Sequence, residues 1–401
     1  MRLASAFGAT VYPFPTTGLT VDFSLSEEQV LLRDSVEKYV REHAGVERHR
    51  ALCKSALGFD ASAWQQFAEL GWLSVPFSED NGGIAGGATD LMVVGEALGR
   101  GLVREPFLVT VVTCGGLLQR GGSVAQQQQF IPGIISGESQ WAFAFAETGS
   151  GYDLSRVDTV ARRADDAYLL SGSKLAVLNA HCAQHLIVSA RLAGEAAQGA
   201  GLTLFIVDAD APGVERETFV AVDGSKGAQV TLREVRLSDE QVLGEVGGGL
   251  PLMEAAIDAA IVALGAEALG AMQALLEATV EYTKTREQFG QPISKFQALQ
   301  HRMADMYLKV EETRSLLLNA AIALDDGSDD AAAACAALKV KVSEAGRYVA
   351  QQAVQLHGGI GMTDELCVGH HYKRLMILAK LYGDEAWHLQ RYVNLMAARA
   401  A

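Results

Sequence analysis

The sequence predicts a mainly α-helical protein with a central β domain. Apolar residues recur at helical spacing from Ser24, the period changes to two residues at Trp141, and helical spacing returns after Gly247. At roughly 100–200 residues per domain, the 401 residues are enough for two or three domains. We therefore predict a loose extension over 1–20, a helical domain over 21–139, a β domain over 140–245 and a helical bundle over 246–401.

The first domain opens with a helix-start signal. Ser26 is followed three residues later by Gln29, as in a capping box, and Val36 and Val40 then recur at helical spacing. Glycine pairs in the stretch 76–87 mark a break between helices. These signals predict a domain built from several short helices.

The second domain begins where bulky and small side chains alternate. Trp141, Phe143 and Phe145 alternate with alanines, which is the two-residue period of a strand with one bulky face. Turn residues separate further strand-like runs at 168–170, 185–190, 202–208, 219–222 and 229–237. These runs predict a compact antiparallel β unit.

The third domain has the pattern of a helical bundle. Leu299, Met303, Met306 and Val310 step by four, three and four residues, which is the seam of a long bundle helix. An alanine-rich run over 329–357 predicts another helix, which the glycine pair after it would stop.

Net charge excludes several classes of partner. Lys and Arg total 33 and Asp and Glu total 48, so the chain carries −15. Such an acidic chain is a poor general binder of nucleic acid or of anionic membranes. The long apolar segment from Leu250 carries Glu254, Asp258 and Glu267, so we predict no membrane span.

The five cysteines indicate a reducing compartment. They lie far apart, without the spacing of a zinc site or a disulfide framework, so we predict no metal and free thiols. The first twenty residues lack the apolar core of a secretory signal. We therefore expect a cytoplasmic protein.

The stretch around Arg286 is the most informative part of the chain. It combines a helix end, a turn bounded by Gly290 and Pro292, and a new helix start, with Lys284 and Lys295 nearby. Free N–H groups at a helix start and a guanidinium that grips two oxygens suit a phosphate. A helical hairpin with a solvated, charged tip accounts for the same residues, so both interpretations stay open on residue types alone.

Four strings resemble, in the same order, the motifs of the acyl-CoA dehydrogenase family. Residues 76–83 resemble its Pro-Glu-x-x-Gly-Gly loop and 147–153 its Glu-Pro-Gly-x-Gly-Ser-Asp loop; 286–297 resemble its Arg-x-x-Phe-Gly turn, and 355–361 its Gln-x-x-Gly-Gly-x-Gly segment. The resemblance covers almost the whole chain. It implies the family fold, with an N-terminal helical domain, a middle antiparallel β-barrel-like domain and a C-terminal four-helix bundle.

The resemblance implies FAD as cofactor. In this family the ADP half of FAD is held across a dimer interface, by residues that the neighbouring subunit contributes. The matching positions here are Arg286, Gln288, Phe289, Phe296, Gln297, Gln355, Gly358 and Gly359. The 147–153 loop adds Glu147 and Gly151 as expected cofactor-binding residues.

Family members remove an α-proton and a β-hydride from an acyl-CoA thioester, and they use a carboxylate as base. Counting back from Gln390-Arg391 places Asp384 at the base position, although the family has a Glu there. The alternative role for Asp384 is an N-terminal cap of the last helix. The family's second base position falls on Ala260, and Asp258, close by, is the expected substrate-side residue.

Other family positions have changed in this chain. A flavin-stacking Trp is replaced by Ala176, a Thr that contacts flavin N5 by Leu178, a loop Ser by Tyr152, and an Arg on the acyl-CoA side by Ile261. Every lost feature concerns the flavin ring or the thioester, whereas the ADP-side residues are retained.

We therefore hypothesise one half of a heteromeric acyl-CoA dehydrogenase, similar to small subunits of pimeloyl-CoA-type and steroid side-chain enzymes. Electron-transfer flavoprotein is the expected electron acceptor. A homo-oligomeric enzyme, a non-catalytic partner subunit, and a flavin monooxygenase or oxidase are the alternatives. Dicarboxylic, steroid side-chain and fatty acyl groups all stay open.

Overall fold

The computed structural model describes residues 24–193 and 201–400, so the predicted extension over 1–20 lies outside the described residues. The N-terminal helices are α1 (Glu27–His43), α2 (Val46–Lys54), α3 (Ala61–Glu69), α4 (Ala88–Arg100), α5 (Gly116–Gly121) and α6 (Val124–Ile135). A π-helical segment, Phe107–Gly115, leads into α5. The capping box predicted at Ser26 and Gln29 is confirmed, because each side chain bonds the other's backbone N–H.

The middle of the chain forms one eight-stranded sheet. Its strands are β1 (Trp141–Ala144), β2 (Val160–Ala164), β3 (Ala167–Leu178), β4 (His185–Leu192), β5 (Leu202–Asp208), β6 (Val214–Val220), β7 (Lys226–Leu237) and β8 (Val242–Leu243). The order is β6-β7-β3-β2-β4-β5-β8, with β1 beside β4. The predicted antiparallel pairing holds for most of the sheet but not for β1 and β2, which both pair with β4 in parallel. The β2–β3 hairpin lies between β1 and β4 in sequence and lets the chain return in the same direction.

The last third of the chain is helical. It contains α7 (Gly249–Thr285), α8 (Gln297–Asp325), α9 (Ala331–His357), α10 (Cys367–Leu378) and α11 (Glu385–Ala400), with a short hairpin of β9 (Glu287–Gln288) and β10 (Gln291–Pro292) between α7 and α8. α9 packs against α7, α8, α10 and α11. The predicted seam of α8 faces the core, since Met306 and Val310 are buried and Leu299 and Met303 pack against the core. The predicted fold class, helical domains on either side of a central sheet, is confirmed.

α4 and α7 approach closely because each has glycine at the crossing. A Cβ atom at Gly99 would lie 2.0 Å from the carbonyl oxygen of Glu267, and one at Gly270 would lie 1.9 Å from that of Glu96. No side chain fits at such distances, so glycine is required at both positions. This crossing fixes the N-terminal domain against the bundle.

α7 has a window long and apolar enough to cross a membrane, contrary to the count of charges in the sequence. However, 78% of that window is buried inside the protein. This is the behaviour of a core helix that is apolar on all sides.

Arg374 of α10 joins α7 to the β domain. Its Nε and Nη2 donate to the two carboxylate oxygens of Glu267 at 2.5 and 2.9 Å, and its Nη1 donates to Asp223 Oδ2 at 3.0 Å. Asp223 lies in the turn between β6 and β7, and its carboxylate also accepts two hydrogen bonds from Ser225. One guanidinium thus neutralises two carboxylates from different parts of the fold.

Candidate functional site

The turn after α7 is exposed and projects from the bundle. Arg286 ends the helix, and the β9–β10 hairpin that follows carries Phe289 at its tip. Phe289 has a φ of 55°, is 90% exposed, and contacts Phe296 edge-on with ring centroids 6.0 Å apart. Gln297 is the exposed first residue of α8. The residues that the sequence predicts for this turn therefore lie between the end of α7 and the start of α8.

The Gln355–Gly359 segment lies at the same end. The His357 ring stacks on Tyr282, one turn before Arg286, with centroids 4.5 Å apart. Gln355 is exposed, and α9 ends at Gly358 with a φ of 66°. A Cβ atom at Gly358 or Gly359 would meet no atom of the described residues within 4 Å. The backbone here is open to close approach by another molecule.

The two basic side chains at this end of the bundle, Lys284 and Arg286, differ in whether they are paired. Lys284 donates to Glu281 at 2.6 Å, whereas the Arg286 guanidinium makes no hydrogen bond or salt bridge with any residue in 24–193 or 201–400. The Gln288 amide donates to the carbonyl of Glu287 at 2.8 Å. A free guanidinium beside open backbone and an exposed ring fits the pyrophosphate and nucleotide half of FAD.

Glu147 is used inside the β domain. Its carboxylate accepts hydrogen bonds from Lys174 Nζ at 2.5 Å, from Thr159 Oγ1 at 2.6 Å, and from the N–H groups of Asp158 and Thr159. Burial alone would raise the pKa of Glu147, but the Lys174 charge and these hydrogen bonds lower it. The side chain anchors the loop to β2 and β3, while Gly151 lies further along that loop with a φ of 60° and open space around it.

Asp384 occupies the cap position that the sequence offered as its alternative role. Oδ1 accepts from the N–H of Trp387 at 3.1 Å, and Oδ2 accepts from Lys380 Nζ at 3.1 Å. The hydrogen bond from the Trp387 N–H, followed by that from Lys380, lowers the pKa of Asp384. A carboxylate with both oxygens engaged and a lowered pKa has little of the character of a general base near neutral pH.

Replacing Asp384 with Ala tests the cap directly. We expect the free energy of unfolding to fall by about 0.5–2 kcal/mol, because the first turn of α11 loses its side-chain acceptor. Asp384→Ser is the matched control, since Ser also caps helices, and it should restore most of the loss in denaturant titrations. Equal losses in Ala and Ser variants would contradict the capping role.

Asp258 is buried and paired. Arg391 of α11 donates to its two oxygens at 2.6 and 2.9 Å. Burial raises the pKa of Asp258, and the hydrogen bonds and charge of Arg391 oppose that effect. The pair joins α11 to α7, so the Asp258 carboxylate is already engaged within the chain.

A cavity of about 280 Å³ lies beside this ion pair. Its walls include four aromatic side chains, Phe145, Tyr152, Tyr382 and Trp387. Glu254 and His388 also line it, and the sequence analysis assigned no role to either. Nothing in the sequence marked His388, because the contacts that orient it come from the folded turn before α11.

One of the changed family positions, Ala176, lies in strained backbone. Ala176 has a φ of 52° and is exposed, at an irregularity in the pairing of β3 with β7. Left-handed backbone at a non-glycine residue costs about 1–3 kcal/mol and clusters at functional sites. Ala176 thus has a left-handed backbone conformation at a position where the side chain is only a methyl group.

The cavity and the exposed turn are far apart. Ile257 lines the cavity and precedes Arg286 by 29 residues of the same helix. At 1.5 Å per residue this separation is about 44 Å along the helix axis. The cavity and the exposed turn therefore lie toward opposite ends of α7.

Comparisons with known proteins agree with this architecture. Acyl-CoA dehydrogenase N-terminal, middle and C-terminal domain models match residues 26–138, 142–239 and 247–394. The chain is 31% identical to mitochondrial isovaleryl-CoA dehydrogenase of Oryza sativa subsp. japonica, over 90% of this chain and 87% of that protein.

Two solved structures with a similar fold are each named after two proteins. A variant of the Tcur3481-Tcur3483 steroid ACAD is 31% identical, with a TM-score of 0.85 over 94% of this chain and 99% of that one. The ChsE4-ChsE5 complex from Mycobacterium tuberculosis is 27% identical, with a TM-score of 0.85 over 94% and 99%. The chain is thus an FAD-dependent oxidoreductase of acyl-CoA thioesters and belongs to the acyl-CoA dehydrogenase family.

Proposed function

We propose that this chain is one subunit of a heteromeric acyl-CoA dehydrogenase and contributes the ADP-side contacts of a flavin whose ring lies in another subunit. Arg286, Phe289, Gln355 and the Gly358-Gly359 backbone are the proposed contacts. The loss of the family's flavin-ring features, with Ala176 and Leu178 in place of its Trp and Thr, is the observation that carries the heteromeric arrangement.

The residues of this chain that match the family's flavin-ring and base positions support a division of labour between two subunits. Ala176 offers no aromatic surface, Leu178 offers no hydroxyl, and the Asp384 carboxylate is held by the helix start and by Lys380. The ADP side retains a free guanidinium and open glycines. A partner chain that supplies a pocket for the flavin ring and a catalytic carboxylate would complete the site to which this chain contributes its ADP-side contacts.

When bound, FAD supplies the hydride acceptor for α,β-dehydrogenation of the thioester. The role of this chain in that reaction is to bind and orient: Arg286 balances pyrophosphate charge, and Phe289 covers apolar surface beside the nucleotide. Electron-transfer flavoprotein is the proposed electron acceptor. All five cysteines are free thiols, which supports the cytoplasm as the compartment.

Replacing Arg286 with Met tests the proposed contact. In the complex with its partner subunit, we expect the affinity for FAD to fall about 10- to 100-fold, because each hydrogen bond to a charged group is worth about 1.5–3 kcal/mol. Lys284→Met is the matched control: it removes the same charge two residues away, but from a side chain already paired with Glu281.

Titration of the apo-complex with FAD, followed by flavin fluorescence, measures both variants. Equal affinities for Arg286→Met, Lys284→Met and the unmodified complex would contradict the proposed contact. They would favour the solvated hairpin tip that the residue types also allowed.

In its limiting form this proposal makes the chain a non-catalytic subunit that only completes the FAD site of its partner. The capped state of Asp384 favours it, since the base position of this chain is then engaged in holding α11. In that case, Asp384→Asn in the complex leaves turnover unchanged, whereas a chain with its own active site loses it.

A further inference from the structure

Three of the nine histidines lie together where α2 contacts α10. The ring of His49, on α2, packs edge-on against that of His370, with centroids 4.9 Å apart, and His371 is the next residue of α10. Their exposed fractions are 4%, 7% and 2%. Of the nine residues of α2, His49 is the one that is buried. The docking of this short helix therefore depends on an ionisable side chain.

The neutral form of His49 suits its surroundings. Nδ1 lies 3.4 Å from the carbonyl oxygen of Leu102, and because a carbonyl only accepts, Nδ1 carries the hydrogen. Nε2 lies 3.5 Å from Cys53 Sγ. Protonation of Nε2 would direct a second N–H at sulfur, which is a weak acceptor. Burial, followed by the charge of Arg104, lowers the pKa of His49 to about 4.

His371 is also held in its neutral form. Its Nδ1 is buried and has no hydrogen-bond partner among the described residues. Burial, followed by the nearby His49 and His370, lowers the pKa of His371 to about 3. His370 differs in having an acceptor, since its Nε2 lies 3.0 Å from the carbonyl oxygen of Asp364. At pH 7 the rings of His49 and His371 are therefore neutral.

The charged groups beside this contact leave no carboxylate free for a protonated ring. The titratable residues that line the cavity of about 110 Å³ next to His49 are Arg104, Glu105, His181, Lys226, Glu267 and Arg374. Glu105 pairs with Arg48 of α2 at 2.5 Å, and Glu267 pairs with Arg374. Asp223, in the turn between β6 and β7, is a third nearby carboxylate and pairs with the same guanidinium as Glu267. Each of these carboxylates therefore already has a cation.

Two cations in this lining have no carboxylate partner. Arg104 donates to two backbone carbonyls at 2.9 and 3.1 Å, and Lys226 also donates to backbone carbonyls. Neither forms a salt bridge within the part of the chain that the structure describes. A proton on His49 would therefore add positive charge to a buried region that already has unpaired positive charge.

We infer that the cluster of His49, His370 and His371 is an acid-sensitive contact that releases α2 from α10 when the solution becomes mildly acidic. Histidine suits such a switch because its charge changes near neutral pH. An exposed histidine has a pKa of about 6.5, so the released state of α2 takes up a proton before the docked state does. The docked state therefore loses stability as the pH falls from about 6.5 toward 4. The inference does not depend on the proposed function.

Hydrogen–deuterium exchange of the α2 amides tests the inference. It is measured on the full-length chain by mass spectrometry and corrected for the intrinsic exchange rate at each pH. The protection of residues 46–54 should fall about 10- to 30-fold between pH 7.5 and pH 5.0, the effect of His49 alone. At pH 5.0, α2 should exchange faster than α4, which packs against α7. Equal protection of the two helices at that pH would overturn the inference, because the chain would then open as one unit.

Two variants of His49 remove the charge at its source. In His49→Phe and in His49→Gln, the protection of α2 should change less than about threefold between the two pH values, because neither side chain binds a proton. The Gln variant also keeps a donor for the Leu102 carbonyl, so it keeps the test decisive if the Phe variant fails to fold.

His43→Gln is the matched control. His43 lies at the end of α1, six residues before His49, and its side chain is 48% exposed. This variant should keep the full loss of protection that the unmodified chain shows. A full loss in a folded His49 variant, or constant protection of α2 in the unmodified chain, would overturn the inference.

Discussion

Replacing Arg374 with Met is expected to lower the free energy of unfolding by about 3–5 kcal/mol, because it leaves two carboxylates without their cation. The Asp223 side chain is 1% exposed and that of Glu267 is 15% exposed, so solvent compensates little. Burial alone would raise the pKa of Asp223, but Arg374 and Ser225 lower it. Guanidinium chloride titration with fluorescence detection measures the loss.

The pH dependence gives this prediction a second test. Without Arg374 the pKa of Asp223 rises, so protonation removes the uncompensated charge, and the deficit should be smaller at pH 4 than at pH 7. Arg236→Met is the control, since Arg236 and its partner Asp166 are 59% and 86% exposed. It should cost less than about 1 kcal/mol. A similar loss in both variants would refute the role of Arg374 as the link between α7 and the β domain.

Replacing Lys174 with Met should also cost about 3–5 kcal/mol, since it leaves Glu147 as a buried, uncompensated charge. Lys174 is 0% exposed and also donates to Ser189 Oγ at 3.0 Å. The loss should be accompanied by faster proteolysis in the loop 147–153, because Glu147 anchors that loop to β2 and β3. Thermal unfolding and limited proteolysis measure the two effects.

The matched control for Lys174 is Lys284→Met, which breaks an exposed pair with Glu281. That variant should stay within about 1 kcal/mol of the parent. If Lys174→Met were equally mild, the pair would be solvated in solution, and the 147–153 loop would be held by its backbone hydrogen bonds alone.

The sequence was most informative where the signal is local. The capping box at Ser26, the two-residue period from Trp141 and the stop at Gly358 depend on neighbouring residues, and the structure has each of them. The strand predicted at 219–222 lies instead at Val214–Val220. β6 is a polar edge strand without alternating apolar residues, so its position depends on pairing with β7 rather than on its own pattern.

The candidate site was less predictable because its contacts are non-local. Arg391 is 133 residues from Asp258, and Arg374 is 151 residues from Asp223, so no spacing rule connects them. The sequence identified Asp384 but left its role between base and cap, since a carboxylate at that spacing suits both. Its capping geometry depends on where α11 begins and on the position of Lys380.

The flavin content of the chain purified alone tests the central claim most directly. The visible absorbance of flavin and the protein concentration give the ratio of FAD to chain. We predict a ratio well below one for the chain alone, and acquisition of FAD when a second acyl-CoA dehydrogenase subunit is present. One FAD per chain in the isolated protein, with turnover that is lost on Asp384→Asn, would contradict the account.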